Sequence, residues 1–198
     1  MVDTDTPRDV LPVVYAGNYM LRRWEGHDLP LVEEAAQDPM IPAISSVPSR
    51  YTTDAGRAFI DLQRRRLRDG FGYSYVIANR DDASAVGSIG LWLRDVDQGR
   101  ASLGYWVVPS KRRRGAARAA LAALTRWASG PPLAIPRLEL YVEPWNEASV
   151  RTAEAVGYTR EGLLRQWQEV EGARRDMYIY SVVRGDDQED PAARGTRG

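Results

Sequence analysis

The chain contains no cysteine. That single absence excludes disulfides, a thiolate nucleophile, Cys-ligated zinc and iron–sulfur clusters together. His27 is the only histidine, so a Ser-His-Asp triad, an HExxH zinc site or a His-rich metal site is not expected either. Lysine is nearly missing: Lys111 stands alone among 27 basic residues, which reads as a compositional bias rather than a site. Neither sign of charge is in excess, with 27 basic against 27 acidic residues and a formal net charge of zero. No overall field therefore draws the protein toward nucleic acid or an anionic membrane, and any anion it binds must be held by local geometry. No apolar run approaches the length of a membrane span, and Met1 to Val10 is polar and acidic with no secretion-signal core behind it. The expected address is the cytoplasm. What remains is chemistry by carboxylates, hydroxyls, backbone amides and a bound cosubstrate.

With 198 residues, 43% of them hydrophobic, the chain fits one soluble globular domain with a continuous core. Residues 1–18 read as an N-terminal arm, 19–183 as the domain and 184–198 as a disordered tail of Asp, Gly, Pro and Arg. The domain opens with a short strand at Tyr19 to Trp24. Asp28 stands where an N-cap belongs, ahead of a first helix that closes near Pro39. Pro39 to Tyr51, with three prolines, reads as a loop, and Thr53 or Asp54 caps a second helix carrying Phe59, Ile60 and Leu67 at helical spacing. Its arginines 64, 65, 66 and 68 read as a solvated face. Tyr73–Ala78, Ala85–Leu93 and Ala101–Val108 then form three strands joined by short polar turns, an antiparallel meander. A basic loop leads to the strongest helix former, Ala116–Ala128; a strand at Leu138–Val142, a helix at Asn146–Val156 and a hairpin of Leu163–Val170 with Arg174–Val183 complete the order.

Chemistry concentrates between Tyr105 and Arg118. A strand ends at Pro109, and Ser110, Lys111, Arg112, Arg113, Arg114, Gly115, Ala116, Ala117 and Arg118 open a long helix. The amino end of a helix offers unpaired amides and a partial positive charge, and small residues there let an anion approach the backbone. Four arginines and a lysine add charge to the same place, making a pyrophosphate cradle on physical grounds. The plainer reading is a basic loop on a helix that merely packs. A Walker-type phosphate loop is excluded, because its closing Gly-Lys-Ser or Gly-Lys-Thr is absent.

Arg112, Gly115 and Ala117 match a known pattern of Arg or Gln, two variable residues, Gly, one variable residue, then Gly or Ala. Gly104, Tyr105, Trp106 and Pro109 precede it; Asn146 and Ser149 form an Asn-x-x-Ser pair. Ala155, Gly157, Tyr158, Glu161 and Gly162 follow, then Gly172, Arg175, Asp176 and Tyr180 on the last hairpin. In this order, over roughly Leu21 to Val183, the chain resembles the GNAT superfamily of acyl-CoA-dependent N-acetyltransferases, in particular its RimJ/RimL-like branch. The resemblance implies an α+β, three-layer fold: a mixed, mostly antiparallel sheet of about seven strands, splayed between the fourth (Ala101–Val108) and the fifth (Leu138–Val142), with about four flanking helices. It implies acetyl-CoA as cosubstrate, with Trp106, Val107 and Val108 offering backbone groups to the pantetheine arm. Arg112, Arg113, Arg114, Gly115, Ala116 and Ala117 would surround the pyrophosphate, with Arg118 near it. Asn146 would bind pantetheine, and Ser149 would give a proton to the departing thiolate; helix capping is the alternative role for both.

Two departures stand out. Arg113 and Arg118 replace the family's usual Gly and frequent Thr, so the loop is bulkier and more basic. Ser102 and Gln168 are neutral where relatives carry carboxylates, which leaves Glu143 and Glu169 as candidate bases. Trp92, Trp106, Trp145 and Trp167 could wall an acceptor pocket or enter the core. Without cysteine an acyl-enzyme is not expected, and a primary amine would attack the thioester directly in a ternary complex. The acceptor is expected to be a low-pKa α-amine of a peptide, a protein N-terminus or a small metabolite, and the assembly a monomer or homodimer. A catalytically silent CoA-binding sensor or scaffold remains the alternative, favoured by the missing carboxylates.

Overall fold

The computed structural model describes residues 11–185, so most of the expected arm and the tail from residue 186 lie outside the described residues. Eight strands form one sheet: β1 (Val14–Ala16), β2 (Tyr19–Arg22), β3 (Gly72–Asn79), β4 (Ala85–Trp92), β5 (Arg100–Val107), β6 (Arg137–Val142), β7 (Thr159–Val170) and β8 (Ala173–Val183). Their spatial order is β1-β2-β3-β4-β5-β6-β8-β7, and every neighbouring pair is antiparallel except β5 and β6. Five α-helices flank it: α1 (Leu29–Gln37), α2 (Met40–Ile44), α3 (Thr53–Arg68), α4 (Ala116–Ser129) and α5 (Glu147–Ala155).

The sheet sorts side chains by the two-residue period of extended chain. On β3, Tyr75 and Ile77 enter one core with Leu121 and Leu124 of α4 and Ala153 of α5, while Val76 and Ala78 enter a second with Val32 of α1, Ile41 of α2 and Phe59 of α3. Helices α4 and α5 thus cover one face and α1 to α3 the other, three layers in all. No helix among the described residues is long and apolar enough to cross a membrane.

Three local readings are corrected. The sheet has eight strands rather than about seven, because Val14–Ala16, assigned to the arm, pairs with β2 across a tight turn where Gly17 takes φ +64°. The segment after Pro39, expected as loop, contains the short α2. Thr52, not Thr53 or Asp54, caps α3, its Oγ1 accepting the Ala55 N–H at 3.1 Å. Asp28 does sit at the head of α1, but its carboxylate accepts the Arg22 guanidinium at 2.8 and 2.9 Å and the Glu25 N–H at 2.8 Å instead of a helix amide.

Candidate active site

Strands β5 and β6 pair only from Arg100↔Arg137 to Leu103↔Leu140. Beyond Leu103, β5 continues against β4 alone, as far as Gly87↔Val107, and the sheet opens. On the α4/α5 side of this opening lies a cleft of about 630 Å³. One end is the amino terminus of α4, where Ala116, Ala117 and Arg118 line the space and their N–H groups precede the first i to i−4 bond, Ala119 N–H to Gly115 C=O at 3.0 Å. Gly115 caps the helix in the left-handed region at φ +80° with no side chain to satisfy those amides. Lys111, Arg113 and Arg118 add cationic charge, as does Arg151 from α5. Unpaired amides, a helix dipole and cationic side chains around one concavity suit a pyrophosphate.

The opposite face of the opening holds a second cavity of about 480 Å³. Its floor is built of small residues, Ser74, Ser88, Gly90 and Gly104, under Phe59, Gln63 and Arg66 of α3. A Cβ on Gly90 would lie 2.3 Å from the Trp92 ring, so glycine there is what lets the indole lie against the sheet. The Arg66 guanidinium lies over that ring, 4.5 Å from its centroid. At the far end, just past β6, Glu143 accepts the Trp145 indole N–H through Oε2, and its Oε1 is buried with no hydrogen-bond partner. Tyr105, Trp106, Trp145, Asn146 and Ser149 line both cavities, which therefore meet through the splay.

An acetyltransferase (GNAT) domain family matches residues 18–159. The chain belongs to the GNAT acetyltransferase family. A Bacillus subtilis relative named as an uncharacterized N-acetyltransferase, YoaA, is 30% identical over 175 residues, covering 88% of this chain and 98% of its own. Among solved structures, Mycobacterium smegmatis RimJ in complex with CoA-disulfide superposes with a TM-score of 0.76 at 26% identity, over 92% of this chain and 90% of that one. The microcin C7 self-immunity acetyltransferase MccE, solved with acetyl-CoA and AMP, gives 0.75 at 19% identity, over 84% and 93%. The GNAT fold and the RimJ/RimL-like likeness read from the motifs are thereby confirmed.

Within this GNAT site the expected residues divide. Trp106, Val107, Arg112, Arg113, Gly115, Ala116, Ala117, Arg118, Asn146 and Ser149 all line the cleft beside α4. Val108 does not: it is 1% exposed in the core, its N–H donates to Val86 C=O and its carbonyl accepts the Lys111 N–H. Arg114 is also outside the lining, its carbonyl taking the Tyr19 hydroxyl at 3.0 Å. The Arg112 side chain is committed to the protein, with Nε donating to Val107 C=O at 2.9 Å and Nη2 to Asp38 at 2.7 Å. Asp38 accepts the Met40 and Ile41 N–H groups as well, and Glu34, one turn earlier, takes the Ser110 N–H. The phosphate-side loop is thus lashed to α1 and α2. Arg113 stands at φ +64°, in the left-handed region that favours glycine.

Asn146 caps α5, its Oδ1 accepting the Ser149 N–H at 3.1 Å, so the capping role is real and the amide also faces both cavities. Glu143 and Gln168 line the second cavity, beneath α3, whereas Glu169 is exposed and outside it. Trp92, Trp106 and Trp145 line it too, and Trp167 stacks on Tyr141 at 5.8 Å. The reading of arginines 64 to 68 as a wet face fails at two positions: Arg64 Nε donates to Trp24 C=O, and Arg66 enters the pocket. Arg66 was legible in principle, since Phe59, Gln63 and Arg66 recur at i, i+4 and i+7 on one helix face. Beside the neutral Ser102, its register partner Glu139 is a buried carboxylate, but it is bound by Arg137 and by the Tyr141 hydroxyl. Burial, assisted by that carboxylate, pushes the Tyr141 phenol up to about 12.

Proposed function

We propose that the protein transfers an acetyl group from acetyl-CoA to a low-pKa primary amine by direct attack. GNAT acetyltransferases use acetyl-CoA, and the residues present fit it. The observation that carries the reading is the meeting of two unlike cavities at Ser149 and Asn146: one lined by unpaired helix amides and cations, the other ending in an unpaired buried carboxylate oxygen. Ala116, Ala117 and Arg118 amides would hold the pyrophosphate, with Arg113 and Lys111 beside it and Arg151 across the cleft. The edge of β5 at Tyr105–Val107, freed by the departure of β6, would receive the pantetheine arm. These placements bring the thioester to the wall shared by the cavities.

There the amine nitrogen attacks the acetyl carbon, the C–S bond breaks, and two protons move. Glu143 Oε1 accepts one from the attacking nitrogen, directly or through water, the Ser149 hydroxyl gives one to the thiolate, and the proton on Glu143 returns through solvent to the Ser149 oxygen as the CoA thiol leaves. A neutral nitrogen is required. At pH 7, deprotonation costs about 1.4 kcal/mol for an α-amine of pKa about 8 but about 4.6 for a lysine of about 10.4. With Ser102 and Gln168 neutral, Glu143 is the base left to this site, and the less basic α-amine of a small metabolite, peptide or protein N-terminus suits it better. In this reading the enzyme works in the cytoplasm. A silent CoA sensor would have no use for a buried carboxylate oxygen left without a partner beside the transfer point.

The test is thiol release from acetyl-CoA across a panel of amines, with Ser149→Ala and Glu143→Gln alongside. Ser149→Ala should lower kcat by about 10²-fold or more with little change in acetyl-CoA affinity. Tight acetyl-CoA binding with no turnover on any amine would replace the enzyme by the sensor.

A further inference from the structure

The acceptor cavity has chemistry that transfer to a bare amine does not use. At the Trp92 end, Gln63 is fixed by two bonds: its Oε1 accepts the Ser74 hydroxyl at 2.9 Å and its Nε2 donates to Ser46 Oγ at 3.0 Å. Arg66 Nη2 also donates to that Oγ, at 3.1 Å. With two donors already directed at it, the Ser46 oxygen has its own O–H left to give. Arg66 Nε is buried with no partner, and no carboxylate pairs with this guanidinium among the described residues. The corner is therefore all donor and carries one uncompensated positive charge. Partial burial, which disfavours that charge, lowers the Arg66 pKa.

Every other functional feature of the cavity is at the opposite end. Trp92, through its partner Ser102, lies level with Glu139, four residues before Glu143 on the same strand line, and its ring reaches over Gly90 and Gly104, two residues nearer. At 3.3 Å per residue the two ends lie about 7–13 Å apart along the strands, and the two strand spacings of about 4.8 Å from β4 to β6 set them about 10 Å apart sideways, so the Trp92 ring and the Glu143 backbone stand about 12–16 Å apart. The Glu143 side chain, which lines the cavity, two hydrogen bonds of about 2.8 Å and a molecule the size of an amino acid fill such a span.

Resting on the acetyltransferase reading above, we infer that the acceptor is a small amine bearing an anionic group, a carboxylate or a phosphate-type acid, which Arg66 and Ser46 receive while the amine lies at Glu143. Arg66 is a specificity determinant. The Trp92 face holds its plane, and Gly90 is required because it seats that ring. An incoming anion supplies the counter-charge that the folded protein withholds.

The experiment compares kcat/KM for L-alanine, L-alaninamide and 1-aminoethylphosphonate with saturating acetyl-CoA. The amide carries the less basic nitrogen, so without the Arg66 corner it would be the better substrate. The expected result is a preference of at least tenfold for an acid over the amide, and the favoured acid identifies the carboxylate or the phosphate-type source. In Arg66→Met the acid-to-amide ratio should fall at least tenfold. A readout that needs no variant is competition: propionate should inhibit acetylation of the acid and propionamide should not. Amide turnover equal to or above both acids, or an unchanged ratio in Arg66→Met, overturns the inference while leaving acetyl transfer intact. No turnover on any amine would instead remove the acetyltransferase reading on which it rests.

Discussion

The Arg112–Asp38 pair makes the sharpest claim about how the cosubstrate loop is held. Arg112 belongs to the motif that marks the phosphate cradle, yet its guanidinium spans Val107 C=O and Asp38, whose side chain is 6% exposed against 46% for the arginine. Two unit charges about 4 Å apart attract by about 1 kcal/mol in water and about 4 at an effective dielectric of 20. With one partner half exposed, a coupling of about 1–2 kcal/mol follows, or about tenfold in an equilibrium constant. Asp38→Asn keeps an oxygen for the Met40 and Ile41 amides and removes the charge; Arg112→Met keeps the length and removes the donors. Calorimetric Kd values for acetyl-CoA in both singles and the double give the cycle. Each single should weaken binding by about tenfold, and the double should be little worse than either. If the Arg112 side chain instead grips phosphate, freeing it from Asp38 will leave Asp38→Asn at full affinity or better while Arg112→Met alone binds weakly, and the strut is refuted.

Two further outcomes test the scaffold. Asp28→Ala should cost about 3–5 kcal/mol in urea unfolding, because it strands the buried Arg22 guanidinium, whereas Arg22→Met with Asp28→Leu should recover most of the loss. Glu161, bonded to Arg137 and to the Ser181 hydroxyl, has its pKa held down to about 2. A depressed carboxylate stabilises the fold above its unfolded value and loses that contribution as pH falls through the folded one. Glu161→Gln should therefore cost about 1 kcal/mol above about pH 5, discounted because the side chain is 39% exposed, with the difference vanishing toward pH 2. A constant difference across that range would contradict it.

Element order was legible because runs of β formers between short polar turns mark β3 to β5, of which β3 and β4 are buried on both faces, and helical spacing marks α3 and α4. Val14–Ala16 escaped because three residues are too few to show a period, and only its pairing to β2 reveals it. The short α2 escaped for a different reason. Its Pro42 and the flanking Pro39 read as breakers, yet Asp38 supplies the side-chain oxygen that starts the turn. The cleft beside α4 was anticipated because a helix amino terminus is built from consecutive residues. On the other face the sequence names Trp92, Glu143 and Gln168 but reads Arg66 as solvated, because these residues come from four elements and only the sheet brings them together. Arg112 shows the limit of a motif: the sequence places the residue at the loop, and only the packing against α1 says which way its charge is spent.

The central claim, that the amino end of α4 beside the splay holds acetyl-CoA, is tested most directly by titrating acetyl-CoA into Gly115→Asp and Gly115→Asn. A Cβ at Gly115 meets nothing within 4 Å, and both replacements tolerate its φ of +80° better than most residues, so each should fold. Asparagine controls for shape and strain, and aspartate adds only a negative charge where the pyrophosphate is placed. Charge-assisted hydrogen bonds contribute roughly 1.5–3 kcal/mol each. The account predicts that Gly115→Asp binds acetyl-CoA at least tenfold more weakly than Gly115→Asn; equal affinity in two folded variants would place the cosubstrate elsewhere.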